Sequence, residues 1–250
     1  MGEENLEILW PFVLASIAGF STMLGCLGIF IPVKKKDEFI TFSISLSLSV
    51  MIMVSLFDLI PNSLPSLGTG FKAILMFCLF FFIGVMMVFI LNRFIEREKG
   101  KSNNLYKLGI LSFIALVLHN LPEGILTFMS TYHDFSLGLS LCLAITLHNI
   151  PEGISIAVPI YYSTGSVAKA LKCTFLSALA EPLGALLAFI VLKNYITETM
   201  IGMFLILVAG IMITLSIEKM FPEAMGYNKK KYLILGVGVG VVIVLASLII

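Results

Sequence analysis

The chain has 250 residues, of which 59% are hydrophobic and only 12% are charged, and its mean hydropathy is +1.05. Soluble domains are closer to half apolar and a quarter charged, so this composition excludes a water-exposed globule and indicates a polytopic integral membrane protein. The net charge of +1 argues against nucleic acid as a partner.

Eight apolar segments are each close to the roughly 20 residues that a helix needs to cross a bilayer. They are continuously apolar instead of alternating over about ten residues, which favours helices over a β-barrel. The sequence therefore predicts an all-α integral membrane protein, with residues 1–250 forming one eight-helix domain in the lipid bilayer. The predicted helices, numbered 1 to 8, cover residues 8–32, 39–61, 71–91, 106–130, 136–162, 167–192, 200–218 and 232–250.

The basic residues predict the orientation of the chain. Fourteen of the 16 Lys and Arg residues fall in the junctions after odd-numbered helices, and only Lys72 and Lys193 fall on the other side. By the positive-inside rule these basic junctions face the cytoplasm, so both termini are predicted to be extracytoplasmic in the cell membrane. The basic residues in these junctions are Lys34, Lys35, Lys36, Arg93, Arg97, Lys99, Lys101, Lys107, Lys169, Lys172, Lys219, Lys229, Lys230 and Lys231.

Two copies of a polar hexad lie inside long apolar runs. Residues 119–124 read H-N-L-P-E-G and residues 148–153 read H-N-I-P-E-G, so five of the six positions are identical. Together they hold two of the three histidines of the chain. A lipid-facing helix gains nothing from His, Asn or Glu, so this repeat points to a function.

Within each hexad, His and Glu are four residues apart and share one face of a helix, with Asn on the adjoining edge. Two such helices packed antiparallel would bring two imidazoles, two carboxylates and two amides together. Imidazole and carboxylate suit Zn²⁺, Fe²⁺ and Mn²⁺, whereas amide and carboxylate oxygens suit harder ions. The pattern predicts a binuclear metal site with a His-rich and an Asn-rich half. Its candidate ligands are His119, Asn120, Glu123, His148, Asn149 and Glu152.

The prolines of the hexads free backbone carbonyls inside the membrane. Pro122 has no N–H for the carbonyl of Leu118, and Pro151 has none for the carbonyl of Leu147. Free carbonyls at this depth are tolerated where they line protein or a watery cavity. They are therefore expected to coordinate ions or to permit bending.

Helix 6 carries a third intramembrane carboxylate next to a proline, in the run Glu181-Pro182-Leu183-Gly184. An insertion cost of about 2.5–3.5 kcal/mol per charge makes three unpaired carboxylates cost on the order of 8–10 kcal/mol. A divalent cation or protonation has to offset that cost. The alternative is that His and Asn form hydrogen bonds between helices that only stabilise their packing. That alternative explains a lone His better than two whole hexads.

A weaker repeat relates helix 2 to helix 7. Residues 51–61 (MIMVSLFDLIP) resemble residues 212–222 (MITLSIEKMFP), and these two helices run in opposite directions, as do helices 4 and 5. The pattern predicts a 3+2+3 bundle with an inverted pseudo-twofold, an arrangement common in transporters. Chance similarity of apolar helix ends is the alternative.

Several other residues have two interpretations. Asp58, Glu218 and Glu223 are expected to be interfacial, although Asp58 would also fit an entrance funnel. Met51 offers sulfur to a metal, but packing is the default role of a methionine in so apolar a chain. His133, in a predicted outer loop, is expected to be exposed.

These motifs resemble those of the ZIP (Zrt/Irt-like) family of divalent-metal transporters. The resemblance rests on both hexads, on the A-E-P-L-G run at residues 180–184, and on residues 209–212 leading to F-P-E-A at residues 221–224. It covers essentially the whole chain, and the presence of H-N-x-P-E-G in both helices resembles the compact, broad-specificity bacterial branch. The short loop between helices 3 and 4 contains no histidine, unlike the loop of many eukaryotic members.

The resemblance implies uptake of Zn²⁺, and of Fe²⁺, Mn²⁺ or Cd²⁺, into the cytoplasm by elevator-like alternating access, with no catalytic cofactor. Both a monomer and a homodimer remain open. The implied binuclear centre lies between helices 4, 5 and 6, and Met51 matches a ligand position in helix 2. One implied site uses His119, Glu123, His148 and Glu152, and the second uses Asn120, Glu123, Asn149, Glu152 and Glu181.

Two other classes of function compete with transport. An intramembrane metal-dependent hydrolase would also use buried His and carboxylate, but the chain has neither an H-E-x-x-H motif nor a nucleophile elbow. A helical scaffold without ions would bind no metal at all. We therefore expect a transporter and not an enzyme.

Overall fold

A computed structural model describes residues 3–97, 104–190 and 197–249. The described part of the chain is helical and contains no strand, and eight helices in it are long and apolar enough to cross a membrane. They are α1 (Ile8–Phe30), α2 (Lys36–Leu67), α3 (Phe71–Phe94), α4 (Asn104–His133), α5 (Phe135–Thr164), α6 (Val167–Ile190), α7 (Glu198–Gly226) and α8 (Lys230–Ser247).

The number and order of the helices confirm the predicted all-α membrane fold, and most boundaries agree within three residues. Lys99, Lys101, Lys193 and the last two residues predicted for helix 6 lie outside the described residues. Because successive helices cross the bundle in opposite directions, α1 begins and α8 ends on the same face. We call this the terminal face and the other one the loop face.

Two predicted boundaries are wrong, one at Pro61 and the other four residues before Pro222. The predictions end helix 2 at residue 61 and helix 7 at residue 218, whereas α2 continues to Leu67 and α7 to Gly226. In each helix a five-residue π-helical turn precedes the proline, over Ser55–Leu59 and over Ser216–Met220. The proline then stands in the first turn of a new α-helical segment, a position that tolerates its missing N–H.

These matching π-turns support the predicted relation between α2 and α7. The N–H of Ile60 bonds to the carbonyl of Ser55, and the N–H of Phe221 bonds to the carbonyl of Ser216, five residues back in both cases. The two turns are 161 positions apart, the same offset that aligns the two sequence runs. An interruption repeated at equivalent positions shows that the similarity is structural and not only one of apolar composition.

A second matching pair of contacts relates α1 to α6 around the central helices. A Cβ on Gly124 would meet the carbonyl of Glu181, and one on Gly184 would meet the carbonyl of Leu121, which locks α4 against α6. On the other side, a Cβ on Gly153 would meet the carbonyl of Thr22, and one on Gly25 would lie 2.6 Å from the carbonyl oxygen of Ile150. Helix α5 therefore packs on α1 as α4 packs on α6.

The remaining helices pack in matching pairs, α2 with α8 and α3 with α7. Glycines again mark the close approaches, with Gly236 against the carbonyl of Phe42 and Gly210 against the carbonyl of Phe81. We call α1, α4, α5 and α6 the site bundle, and α2, α3, α7 and α8 the frame bundle. The bundles touch mainly where α5 meets α2 and α8 and where α4 meets α7.

The outer surface of the frame bundle is strongly apolar. Only 11% of the apolar window in α3 is buried, and large side chains such as Phe71, Phe82 and Phe94 are more than half exposed. Such a surface suits contact with lipid acyl chains, since it would be costly to expose to water.

Candidate metal centre

The two hexads face each other at the centre of the site bundle, where α4 and α5 pack along much of their length. Each hexad lies inside a continuous helix that also contains its proline. All seven predicted ligands on α4, α5 and α6 are buried, with at most 3% of the residue surface exposed. The fold therefore brings the polar residues of three helices away from lipid and into one cluster.

The histidines and glutamates form one half of this cluster, which we call the His half. The Nε2 atom of His148 lies 3.2 Å from Oε1 of Glu123, within hydrogen-bonding geometry. The Nε2 atom of His119 lies 3.2 Å from the same oxygen and 3.5 Å from Oε1 of Glu152. The His119 ring, however, is oriented so that neither of these contacts is a hydrogen bond.

The spacing of the His half suits a metal ion. Nitrogen or oxygen atoms from His119, His148 and Glu152 all lie within 4.8 Å of one another. Ligands of a tetrahedral zinc ion bind at about 2.0–2.2 Å, which places them about 3.4 Å apart. Small rotations of these side chains would thus bring them around one ion, with two imidazoles and a carboxylate as a chemically suitable donor set.

The asparagines and the third glutamate form the other half, which we call the Asn half. The side-chain amide of Asn149 donates to the carbonyl of Ala18 at 3.0 Å and to Oε1 of Glu181 at 2.5 Å. These bonds use its nitrogen and leave its amide oxygen without a partner. Neither side-chain polar atom of Asn120 has a hydrogen-bond partner in the described part of the chain.

The three carboxylates also keep oxygens without hydrogen-bond partners among the described residues. These are Oε2 of Glu123, both side-chain oxygens of Glu152, and Oε2 of Glu181. A buried polar atom without a partner loses its hydration and gains nothing in return, at about 1–3 kcal/mol, and more if it is charged. Several such acceptors in one cluster are what a cation-binding centre requires, since a bound ion would satisfy them together.

A cavity of about 500 Å³ leads from the terminal face to His148. It runs between the two bundles, and the ends of α2, α4, α5, α7 and α8 at the terminal face form its walls. Its polar lining includes Asp58, Asn62 and Glu198, and the amide of Asn62 donates to Oδ1 of Asp58 at 2.5 Å. The His half can therefore be approached from the terminal face past two carboxylates.

Comparison with known proteins now decides the family. The sequence model of the ZIP zinc transporter family matches residues 95–246. Three bacterial proteins named zinc transporter ZupT are similar over 97% of this chain and 98% of their own length: those of Oceanobacillus iheyensis at 38% identity, and of Streptococcus mutans and Lysinibacillus sphaericus at 36%. This chain belongs to the ZIP zinc transporter family.

Membership of the ZIP family confirms the resemblance seen in the sequence. It also confirms the prediction of a membrane transporter over the hydrolase alternative, because the family and these relatives are named as transporters. The family match and the apolar helices together establish a multi-pass membrane protein.

The other candidate residues from the sequence lie in different parts of the molecule. Asp58 lies in the cavity, as a funnel residue should, whereas Glu218 and Glu223 line a separate pocket at the loop face. His133 is exposed at the end of α4, as expected. Met51 is fully buried in the apolar core, and its role as a ligand stays a prediction.

The contribution of α1 is the part of the site that the sequence reasoning missed. That reasoning assigned the centre to helices 4, 5 and 6, yet the Ala18 carbonyl of α1 holds the amide of Asn149. A Cβ on Gly19 would lie 2.9 Å from Cβ of Glu181, so α1 passes directly beside the Asn half. The available signal was the likeness of residues 21–25 (STMLG) to residues 180–184 (AEPLG).

Proposed function

We propose that this protein carries Zn²⁺ and the chemically related ions Fe²⁺, Mn²⁺ and Cd²⁺ into the cytoplasm through a binuclear centre built by the two hexads and Glu181. The observation that carries the proposal is the buried cluster of His and carboxylate side chains, rich in unpartnered acceptors, at the inner end of a cavity. The names of the related bacterial proteins support zinc as one of the ions.

The cavity supplies the first step of the proposed path. The carboxylates of Asp58 and Glu198 line it, and carboxylates in a low-dielectric cleft concentrate cations. His148, at the inner end, then offers an imidazole to replace hydration water. An ion therefore exchanges water for protein ligands in steps instead of losing its whole hydration shell at once.

The glutamates of the hexads are proposed to bridge two ions. Glu123 contacts both histidines and retains a free oxygen, and Glu152 retains two. His119, His148 and these glutamates would hold one ion, while Asn120, Asn149, Glu181 and the same glutamates would hold the other. Three carboxylates against two divalent ions leave one net positive charge, which favours release over permanent trapping.

The ligand set does not restrict the centre to zinc. Imidazole is a good ligand of Zn²⁺ and Fe²⁺, carboxylate and amide oxygens also accept Mn²⁺, and the polarisable Cd²⁺ tolerates both. We therefore propose a broad-specificity carrier in which the His half prefers softer ions and the Asn half harder ones.

The division of the protein into two bundles suits alternating access, in which one bundle moves against the other. The site bundle carries the hexads, and the frame bundle forms the opposite wall of the cavity. The hydroxyl of Ser47 on α2 donates to the carbonyl of Pro151 on α5 at 2.6 Å, which links the bundles beside the second hexad. We propose that the site bundle moves against the frame bundle and that this contact breaks during the movement.

We also propose how the protein is oriented in the cell membrane and which surface contacts lipid or a second copy. The positive-inside bias assigns the terminal face to the outside and the loop face to the cytoplasm, so the cavity opens outward across the cell membrane. The exposed apolar surface of α3 would contact lipid or, in a homodimer, a second copy of the chain.

Metal flux into proteoliposomes tests this function. Purified protein should accelerate Zn²⁺ uptake, and Glu123→Ala, His148→Ala and Glu152→Ala should each abolish or retune it without loss of folded protein. Parallel assays with Fe²⁺, Mn²⁺ and Cd²⁺ would rank the ions. Unchanged uptake in all three variants would refute the assigned centre, and lipid or peptide hydrolysis without flux would refute transport.

A further inference from the structure

The internal pseudo-twofold pairs Glu181 with a residue that no family motif singles out, Thr22. Glu181 stands three residues before Gly184 and its carbonyl packs on Gly124 of the first hexad. Thr22 stands three residues before Gly25 and its carbonyl packs on Gly153 of the second hexad. The two residues therefore occupy equivalent places, one on each side of the hexad pair.

The hydroxyl of Thr22 is one of three threonine hydroxyls, with those of Thr127 and Thr146, that are buried without a hydrogen-bond partner among the described residues. Thr22 is fully buried, and no residue in the described ranges hydrogen-bonds to its Oγ1. Four other threonines donate to the carbonyl four residues back, namely Thr41, Thr131, Thr164 and Thr174. For Thr22 that carbonyl belongs to Ala18, which already accepts from the hydroxyl of Ser21 at 2.6 Å and from the amide of Asn149.

The equivalence also indicates where the hydroxyl faces. Glu181 reaches Asn149, and the residue that corresponds to Asn149 in the first hexad is Asn120. Neither polar atom of the Asn120 side chain has a partner in the part of the chain that the structure describes. The Thr22 hydroxyl on α1 and the Asn120 amide on α4 therefore occupy the positions equivalent to Glu181 and Asn149. Both groups are buried without a partner, which points to a ligand between them.

We propose that Thr22 is a further metal-binding residue of the Asn half, which places its hydroxyl oxygen in the coordination or hydration shell of the ion opposite Glu181. This inference rests on the proposed binuclear centre. It assigns the Asn half one carboxylate and one neutral oxygen at equivalent positions, where strict symmetry would place two carboxylates. Fewer anionic ligands hold a hard cation less tightly, so Thr22 lets the second ion leave during transport.

Cadmium binding in a variant with a weakened His half tests the proposal. In a His148→Ala background, measured by equilibrium dialysis with Cd²⁺, the isosteric Thr22→Val should raise the Kd roughly tenfold. Thr22→Ser keeps the hydroxyl and should stay within about twofold. Thr174→Val is the matched control, since Thr174 is equally buried but already has a partner, and it should not change the Kd.

The outcomes separate this proposal from the transport function. A Kd unchanged by Thr22→Val, or raised equally by Thr22→Ser, would overturn the role of the hydroxyl even if the wild type transports metal. If Glu123→Ala, His148→Ala and Glu152→Ala all take up Zn²⁺ like the wild type, the transport centre itself is wrong.

An exchange variant examines the equivalence directly. Glu181→Thr should weaken Cd²⁺ binding in the same background, and adding Thr22→Glu should bring the Kd back to within about tenfold of its starting value. A monodisperse exchange variant that binds no better than Glu181→Thr would contradict the pairing of the two positions.

Discussion

Glycines let helices approach each other closely in both the site bundle and the frame bundle, but the surroundings of these contacts differ. In the site bundle, Gly124 lets α4 approach the Glu181 carbonyl, and in the frame bundle Gly210 lets α7 approach the Phe81 carbonyl. Around the first contact lie His, Asn and Glu side chains with unpartnered atoms, whereas apolar residues dominate around the second. Close helix packing is thus a property of the whole fold, and the hexads together with Glu181 make one bundle a candidate ion carrier.

The largest contrast is expected from neutralising one carboxylate in each bundle. Glu123→Gln in the site bundle should reduce Zn²⁺ uptake more than roughly 100-fold, because it removes the charge that both histidines contact and that is proposed to bridge two ions. Glu218→Gln in the frame bundle is the control, because Glu218 is exposed at the loop face. Initial rates in proteoliposomes measure both, and equal losses would contradict the distinction between the bundles.

Within the site bundle, the two halves should lose different ions. His148→Ala should weaken ion binding in the His half and Asn149→Ala ion binding in the Asn half, each lowering one of two affinities by about 10–100-fold. Because imidazole is the softer ligand, His148→Ala should affect Zn²⁺ and Cd²⁺ more than Mn²⁺. Calorimetric titration of the purified variants would show this, and identical ion preferences in both would argue for a single shared site.

Matched glycine variants compare the packing of the bundles. Gly124→Ala and Gly210→Ala should each lower the free energy of unfolding by about 1–3 kcal/mol, because the added Cβ meets a backbone carbonyl. Only Gly124→Ala should also weaken metal binding. Gly238→Ala is the control, since a Cβ there has open space around it. Thermal unfolding in detergent measures the losses, and a tolerated Gly124→Ala would show that the α4–α6 contact is looser than described.

The smallest effect is expected at the cavity mouth. Asp58→Asn should raise the KM for Zn²⁺ about threefold with little change in maximal rate, because a carboxylate that only concentrates cations acts before the ion is bound. The effect should shrink at high salt, which screens such attraction. Asp37→Asn, exposed at the loop face, serves as the control. A changed maximal rate with an unchanged KM would place Asp58 in a later step.

The sequence could predict those features of the fold and the site that depend on local residue patterns. Eight apolar runs predicted eight helices, and the spacing of four between His119 and Glu123 predicted that they share a helix face, where they lie 3.2 Å apart. The extension of α2 to Leu67 escaped prediction because a proline normally ends a helix. The π-turn that accommodates Pro61 depends on packing against other helices, which no local pattern in the sequence reports.

The role of α1 was harder to predict for a different reason. Its carbonyl contact from Ala18 to Asn149 joins residues 131 positions apart and involves no polar side chain on α1. Thr22 stood in an apolar run without any other sign of function. The likeness of residues 21–25 to residues 180–184 is short, and the paired glycine contacts, which require three-dimensional placement, are what relate Thr22 firmly to Glu181.

Anomalous diffraction from crystals soaked in Cd²⁺ would test the binuclear centre most directly. We predict two peaks between α4 and α5, separated by roughly 3.5–4 Å as in carboxylate-bridged metal pairs. One peak should lie beside His119 and His148, and the other beside Asn149 and Glu181. A single peak in the His half, or peaks only in the cavity near Asp58, would contradict a centre that holds two ions between the hexads.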